Sequence, residues 1–292
     1  VTLIRRQPHA LFAQLACLWE ATARKPGNVH RYCDFEDANY VDFVASAAAM
    51  APAFDRVAQD TAGELILRAV WNTQAVARTN TNLGIILLLA PLALANEGAG
   101  YRSRVARVLA GLTVRDAMKA YEAIRLARPA GLGKVDNQDV AQQPSMNLRE
   151  AMQLAADRDL IARQYANGFQ EVFDAGVPAL QRGVEEHGSL EGAIIACHLH
   201  LMAHFPDSLI ARKCGNLVAE EAQRRAAVVL AAGWPHTPTG HDALAGLDAW
   251  LRADGHRRNP GTTADLVAAS LFVALREGII TLPPQVPWAA PH

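Results

Sequence analysis

Four polar clusters punctuate the apolar stretches of this chain. They are Lys25-Pro26-Gly27-Asn28-Val29-His30, Asn80-Thr81-Asn82-Leu83-Gly84, Pro206-Asp207-Ser208 with Arg212-Lys213, and Asn259-Pro260-Gly261-Thr262-Thr263-Ala264-Asp265. Each places cations, carboxylates or amides beside Pro or Gly at the end of a helix-like stretch. Helix ends carry backbone N–H groups without intrahelical partners, and side chains there can reach a ligand. Four such clusters, far apart in sequence, predict one composite pocket.

In the first cluster Pro26-Gly27 breaks a helix and leaves Arg24, Lys25, His30 and Arg31 around a turn, an arrangement suited to a polyphosphate. The competing reading is a basic helix end that complements the dipole. Downstream, Asp34, Glu36, Asp37 and Asp42 could hold Mg²⁺ through one or two oxygens, as magnesium sites on nucleotides do, or open the helix that follows. Thr79-Asn80-Thr81-Asn82 could cap the Gly84 helix, but four polar residues exceed one cap. The surplus amides could hydrogen-bond a base or a ribose.

Asp207 is a candidate N-cap. Arg212 and Lys213 follow on the first turns, where cations oppose the helix dipole, so an anion held nearby would explain them. The fourth cluster repeats this pattern, with Asp265 in the first turn and capping as its alternative. Cys197, His200 and His204 share a helical face at spacing zinc could use. No fourth ligand is evident, and a packed helix face is the preferred reading.

The elements that must position these residues are helices. Leu11, Leu15, Leu18 and Trp19 recur at helical spacing, as do Leu65, Leu67, Val70 and Val76, and Val105, Val108, Leu109 and Leu112. A helix is predicted over 116–127, with Thr113 as N-cap and Asp116 completing a capping box. Others are predicted over 148–173, 190–204, 209–232, 243–253 and 263–277. Strand-like alternation is almost absent. The segment 128–144 reads as a long loop that could carry function, and 233–241 as a second loop where Pro235, Pro238 and Gly240 stop any helix. No repeat or linker divides the chain, so the expectation is a single all-α globular domain over 1–292.

With 51% hydrophobic residues the chain can bury a sizeable core. Its 28 Lys plus Arg against 29 Asp plus Glu lack the basic excess of a nucleic-acid or membrane-surface protein. Any anionic ligand must therefore be held by local cations. The cysteines Cys17, Cys33, Cys197 and Cys214 form no C-x-x-C pair and are too sparse for a disulfide framework, and residues 1–6 lack the order of a signal peptide. A cytoplasmic protein is expected. The longest apolar run, 85–95, falls short of the roughly 20 residues that span a bilayer and reads as a buried helix.

Taken together, the clusters resemble the triphosphoribosyl-dephospho-CoA synthase family. Its Lys-Pro-Gly-Leu-Val segment is matched by Lys25, Pro26, Gly27 and Val29, and its Phe-x-x-Ser by Phe43 and Ser46. Its Asn-Thr-His-Lys-Gly aligns with Asn80, Thr81 and Gly84, and its Asp-Thr-x-x-x-Arg with Asp207 and Arg212. Its Pro-Gly-Gly-x-Ala-Asp-Leu is matched by Pro260, Gly261, Ala264, Asp265 and Leu266. The order is kept across nearly the whole chain.

The resemblance implies an all-α transferase that attaches the triphosphoribosyl part of ATP to the ribose 2′-hydroxyl of dephospho-CoA and releases adenine, with Mg²⁺ on the triphosphate. Lys25, Arg212 and Lys213 would then hold the triphosphate, with Asn28 and His30 also on the substrate side. Asp207 and Asp265 would bind metal or stabilise an oxocarbenium-like transition state. Asn80, Thr81 and Asn82 would position ribose or adenine, and Asp37 is a second metal candidate. Arg125 and Asp139 would shape the acceptor side, Asp139 as a further catalytic candidate, because the incoming hydroxyl needs a base.

Three departures stand out. Asn82-Leu83 replaces the family's His-Lys pair, the loop Ala130-Gly131-Leu132-Gly133 leading to Asp139 replaces its Gly-Glu-Ala-Glu, and His30 stands where it commonly has Asp. They point to a divergent branch, similar to homologues in organisms that make tetrahydromethanopterin. A methanopterin-type acceptor and a non-catalytic nucleotide-binding protein are the rival readings. Small-molecule nucleotides, rather than nucleic acid or a membrane, are the expected partners; homodimerisation is left open.

Overall fold

The computed structural model describes residues 9–77, 79–95, 100–129 and 140–289. Among them the first six α-helices are α1 (His9–Thr22), α2 (Tyr40–Met50), α3 (Ala62–Gln74), α4 (Leu83–Leu94), α5 (Tyr101–Ala110) and α6 (Val114–Ala127). Then come α7 (Leu148–Gln153), α8 (Leu160–Asn167), α9 (Val177–His187) and α10 (Leu190–His204). The last are α11 (Ser208–Cys214), α12 (Asn216–Ala231), α13 (Pro238–Arg252) and α14 (Gly261–Arg276). No strand occurs among the described residues, and one isolated bridge pairs His30 with Cys33. The fold is all-α, as the periodicity predicts.

Two helices form the centre. In α4, ten of 12 residues are buried, and in α14, 13 of 16. Helices apolar on every side must be enclosed, and α1, α3, α9 and α10 surround this pair. A second, smaller core gathers Leu199, Ile210, Ala222 and Leu251 from α10 to α13. Helix α10 belongs to both cores, through Ile194 and Cys197 on one side and Ile195 and Leu199 on the other.

Several predicted boundaries move, each for a local reason. The helix expected over 148–173 splits, because Asp159 caps a new helix and Gly168 and Phe169 adopt left-handed backbone (φ 77° and 63°). That over 209–232 breaks at Gly215 (φ 93°). The stop expected at Pro238 is instead a start: Thr237 accepts from the Gly240 N–H, and Pro238 takes the first helical position, where its missing N–H costs nothing. The capping box of Thr113 and Asp116 is present as predicted. On α10 the Cys197 thiol is buried and donates to the Gly176 carbonyl at 3.4 Å, and no metal-holding cluster of His, Cys, Asp or Glu occurs among the described residues. No single helix there is long and apolar enough to cross a membrane.

Candidate active site

Helix α1 ends at Thr22, and the turn after it docks on the helices at the far end of the chain. Gly27 (φ 75°) approaches so closely that a Cβ would lie 2.8 Å from Leu251 and 2.9 Å from Pro260. Its N–H donates to Asp248 at 2.7 Å, while Arg252 donates to the Asn28 carbonyl at 2.7 Å. This fixes Asn28 beside Asn259, to which its side-chain N–H donates at 2.7 Å.

Lys25 departs from its expected role. Its side chain has no exposed surface, and its ammonium meets the Glu20 carboxylate at 2.9 Å as well as the Glu20 and Ala23 carbonyls. Glu20, by contrast, lines a cavity. Burial pushes its carboxyl up, and Lys25 opposes that shift. Arg24 and Arg31 are likewise taken up, both by Glu191. His30 lies off the cavity wall, accepts from the Tyr32 N–H at 3.2 Å, and is pulled down to about 4 by burial and by Arg252 and Lys25.

The second cluster opens α4. Asn82 stands at its N-cap position, and Asn80, two residues earlier, accepts from the Leu83 N–H at 3.0 Å. The Thr81 hydroxyl meets Ser46 at 2.7 Å, joining two of the matched motifs, and Asn82 donates to the Met50 sulfur at 3.2 Å. Gly84 then admits the Asp265 carboxylate: a Cβ there would fall 2.1 Å from Oδ2. Asp265 makes no hydrogen bond or ion pair among the described residues and lines the cavity. Burial pushes its carboxyl well up, and the charges of Glu20, Asp207 and Asp159 add to the rise. A methyl at Gly84 must displace this group by about 1 Å, so Gly84→Ala is expected to lower turnover about 10²-fold with the fold retained. Steady-state rates and a melting curve check this.

Asp207 looks equivalent to Asp265 in sequence and is not in space. It is fully buried and off the cavity wall. One oxygen accepts from the Leu209 and Ile210 N–H groups, and the other from the Thr263 N–H and hydroxyl at 2.7 and 2.8 Å. Four donors fill a carboxylate, leaving no lone pair for metal or substrate. Its expected metal and catalytic roles are therefore corrected to a structural one, joining the starts of α11 and α14. Asp207→Asn would turn an NH₂ group toward one pair of donors and is expected to cost about 1–3 kcal/mol. An unchanged denaturation midpoint would contradict this.

The cavity has a volume of about 980 Å³, at the upper end for small-molecule sites. Arg212 and Lys213 lie on its wall, with Arg212 bonded to Asp159 at 3.3 Å. Burial lowers the Lys213 ammonium, and Asp37 opposes that. Asp37 pairs with His256 at 3.3 Å, and the His256 ring stacks on Phe35. Of the other acids in that stretch, Asp34 and Asp42 serve the start of α2. Arg125 is on the wall and donates to the Val140 carbonyl at 2.6 Å. Asp139 lies outside the described residues.

The cavity thus gathers Asn28, Asp37, Asn80, Thr81, Asn82, Arg125, Arg212, Lys213 and Asp265, and excludes Lys25, His30 and Asp207. Sequence reasoning missed Glu20, Asp159 and His256. Glu20 carried one signal, being the only Asp or Glu in α1. Trp71, 65% exposed on α3, also lines the cavity and offers an aromatic face.

The fold and the cavity define an all-α protein with a large site of mixed charge. Residues 6–281 match the family described as ATP:dephospho-CoA triphosphoribosyl transferase, and the chain belongs to that family. Two curated relatives, from Pseudomonas fluorescens and Pseudomonas putida, are assigned as 2-(5″-triphosphoribosyl)-3′-dephosphocoenzyme-A synthases. They are 33% and 35% identical over 113 and 114 residues, 38% of this chain in each case. The match spans only 38% and 40% of the relatives' own lengths. A solved structure from Archaeoglobus fulgidus, assigned as a triphosphoribosyl-dephospho-CoA synthase, has a TM-score of 0.63 at 32% identity. It covers 80% of this chain and 99% of that one.

Proposed function

We propose that this chain is an enzyme that moves the 5-triphosphoribosyl group of ATP to a hydroxyl acceptor, dephospho-CoA by default, and releases adenine. The observation that carries this reading is the Asp265 carboxylate, unpartnered among the described residues on the wall of a cavity that also holds Arg212 and Lys213. A half-buried carboxylate with other acids around it is relieved by positive charge. Such charge develops on the ribose when its bond to adenine breaks, the bonding pair leaving with the base.

The acceptor oxygen then bonds to the same carbon, and its proton passes to a carboxylate on the wall, Glu20 or Asp159. Arg212 and Lys213 bind the uncleaved triphosphate, and Asn80, Thr81 and Asn82 border the nucleoside. Mg²⁺ takes one or two carboxylates beside nucleotide phosphates, and Asp37 or Asp265, each on the cavity wall, would supply one. Bound there, it would neutralise triphosphate charge. Four free cysteines accord with a cytoplasmic setting.

Chromatography of ATP incubated with the enzyme and a panel of acceptors tests the reading. Adenine should appear, and only when an acceptor is present. The panel includes a methanopterin-type precursor alcohol, because Asn82-Leu83 departs from the His-Lys pair of the resembling family. ATP binding without adenine release would mark a nucleotide-binding protein instead.

A further inference from the structure

Asn28 carries an unusual burden for a turn residue. It is 6% exposed and lines the cavity, yet its side-chain oxygen is buried with no hydrogen-bond partner. Its amide nitrogen is committed to Asn259, and its backbone is held by Arg252 on one side and, through Gly27, by Asp248 on the other. The group is therefore unable to swing out to solvent. A buried acceptor left unpaired is costly, and a ligand donor would remove that cost.

Nucleotides offer few such donors. Triphosphate oxygens accept, which leaves the adenine amino group and the ribose hydroxyls. Asn28 sits against the start of α14, the helix that carries Asp265 one turn on. With Asp265 assigned to the ribose carbon that loses adenine, the nearest donors are the sugar hydroxyls. The geometry points to Asn28 as the residue that reads the ribose of the nucleotide, its side-chain oxygen accepting from a 2′- or 3′-hydroxyl. This rests on the nucleotide reading above and deepens it.

Calorimetric titration with ATP, 2′-deoxy-ATP and 3′-deoxy-ATP in Mg²⁺ and without acceptor tests it. The unaltered protein should bind ATP about 10- to 100-fold more tightly than one of the two deoxynucleotides. Asn28→Leu should bind all three within about twofold of one another, with Asn28→Ala as a second variant and a melting curve for each. Equal affinities in the unaltered protein, or a preference kept by a folded variant, would overturn the assignment. Absence of any ATP binding in the unaltered protein would instead remove the nucleotide reading, and the inference with it.

Discussion

Asp265→Asn is expected to lower the rate of adenine release about 10²–10³-fold, the usual loss when one electrostatic contact to a developing charge is removed. Stability should move the other way or stay level. The carboxyl is raised well above its ordinary value by burial and by neighbouring acids. A group raised on folding makes the folded state lose stability as pH climbs above the unfolded value of roughly 3.9, until the folded value is passed. Asparagine carries no such penalty, so its melting temperature at neutral pH should match or exceed that of the unaltered protein. The same substitution thus separates charge from scaffold: a large rate loss beside an unharmed fold. A variant that releases adenine at a near-normal rate would sink the role of Asp265.

Lys25→Met should produce the largest loss of stability. Its ammonium is wholly enclosed and paired with Glu20, itself 4% exposed. Removing one partner of a buried pair leaves the other charge uncompensated and typically costs about 3–5 kcal/mol. Adding Glu20→Gln to that variant should recover part of the loss, because the stranded carboxylate is gone. Were Lys25 a direct triphosphate ligand, as the sequence suggests, Lys25→Met would instead weaken ATP binding and leave the denaturation midpoint nearly unchanged. Urea titration of the two variants, with ATP affinity measured alongside, distinguishes the two roles.

Much of the fold is legible in the sequence because helices announce themselves locally. The α4 run is apolar throughout, and the Thr113 box needs only residues three apart. Breaks at Gly168 and Gly215 escape notice because a lone glycine inside apolar periodicity is tolerated in many helices. The site is legible as motifs but not as roles. Asp207 and Asp265 both open helices next to polar residues, and only tertiary packing decides which carboxylate is filled by donors and which is left on the cavity wall. Lys25 misleads for a similar reason. A cation beside Pro-Gly resembles a phosphate clamp until Glu20, one turn back on α1, is seen to claim it. Asp159 and His256 reach the cavity from segments with no motif at all.

Intact transfer of the triphosphoribosyl group is the central claim, and doubly labelled ATP tests it most directly. With one label on the ribose and another on the γ-phosphate, incubation with dephospho-CoA should deliver both labels to the acceptor in equal amounts, matched by free unlabelled adenine. Loss of the γ-label as inorganic phosphate, or recovery of both labels still joined to adenine, would contradict the account.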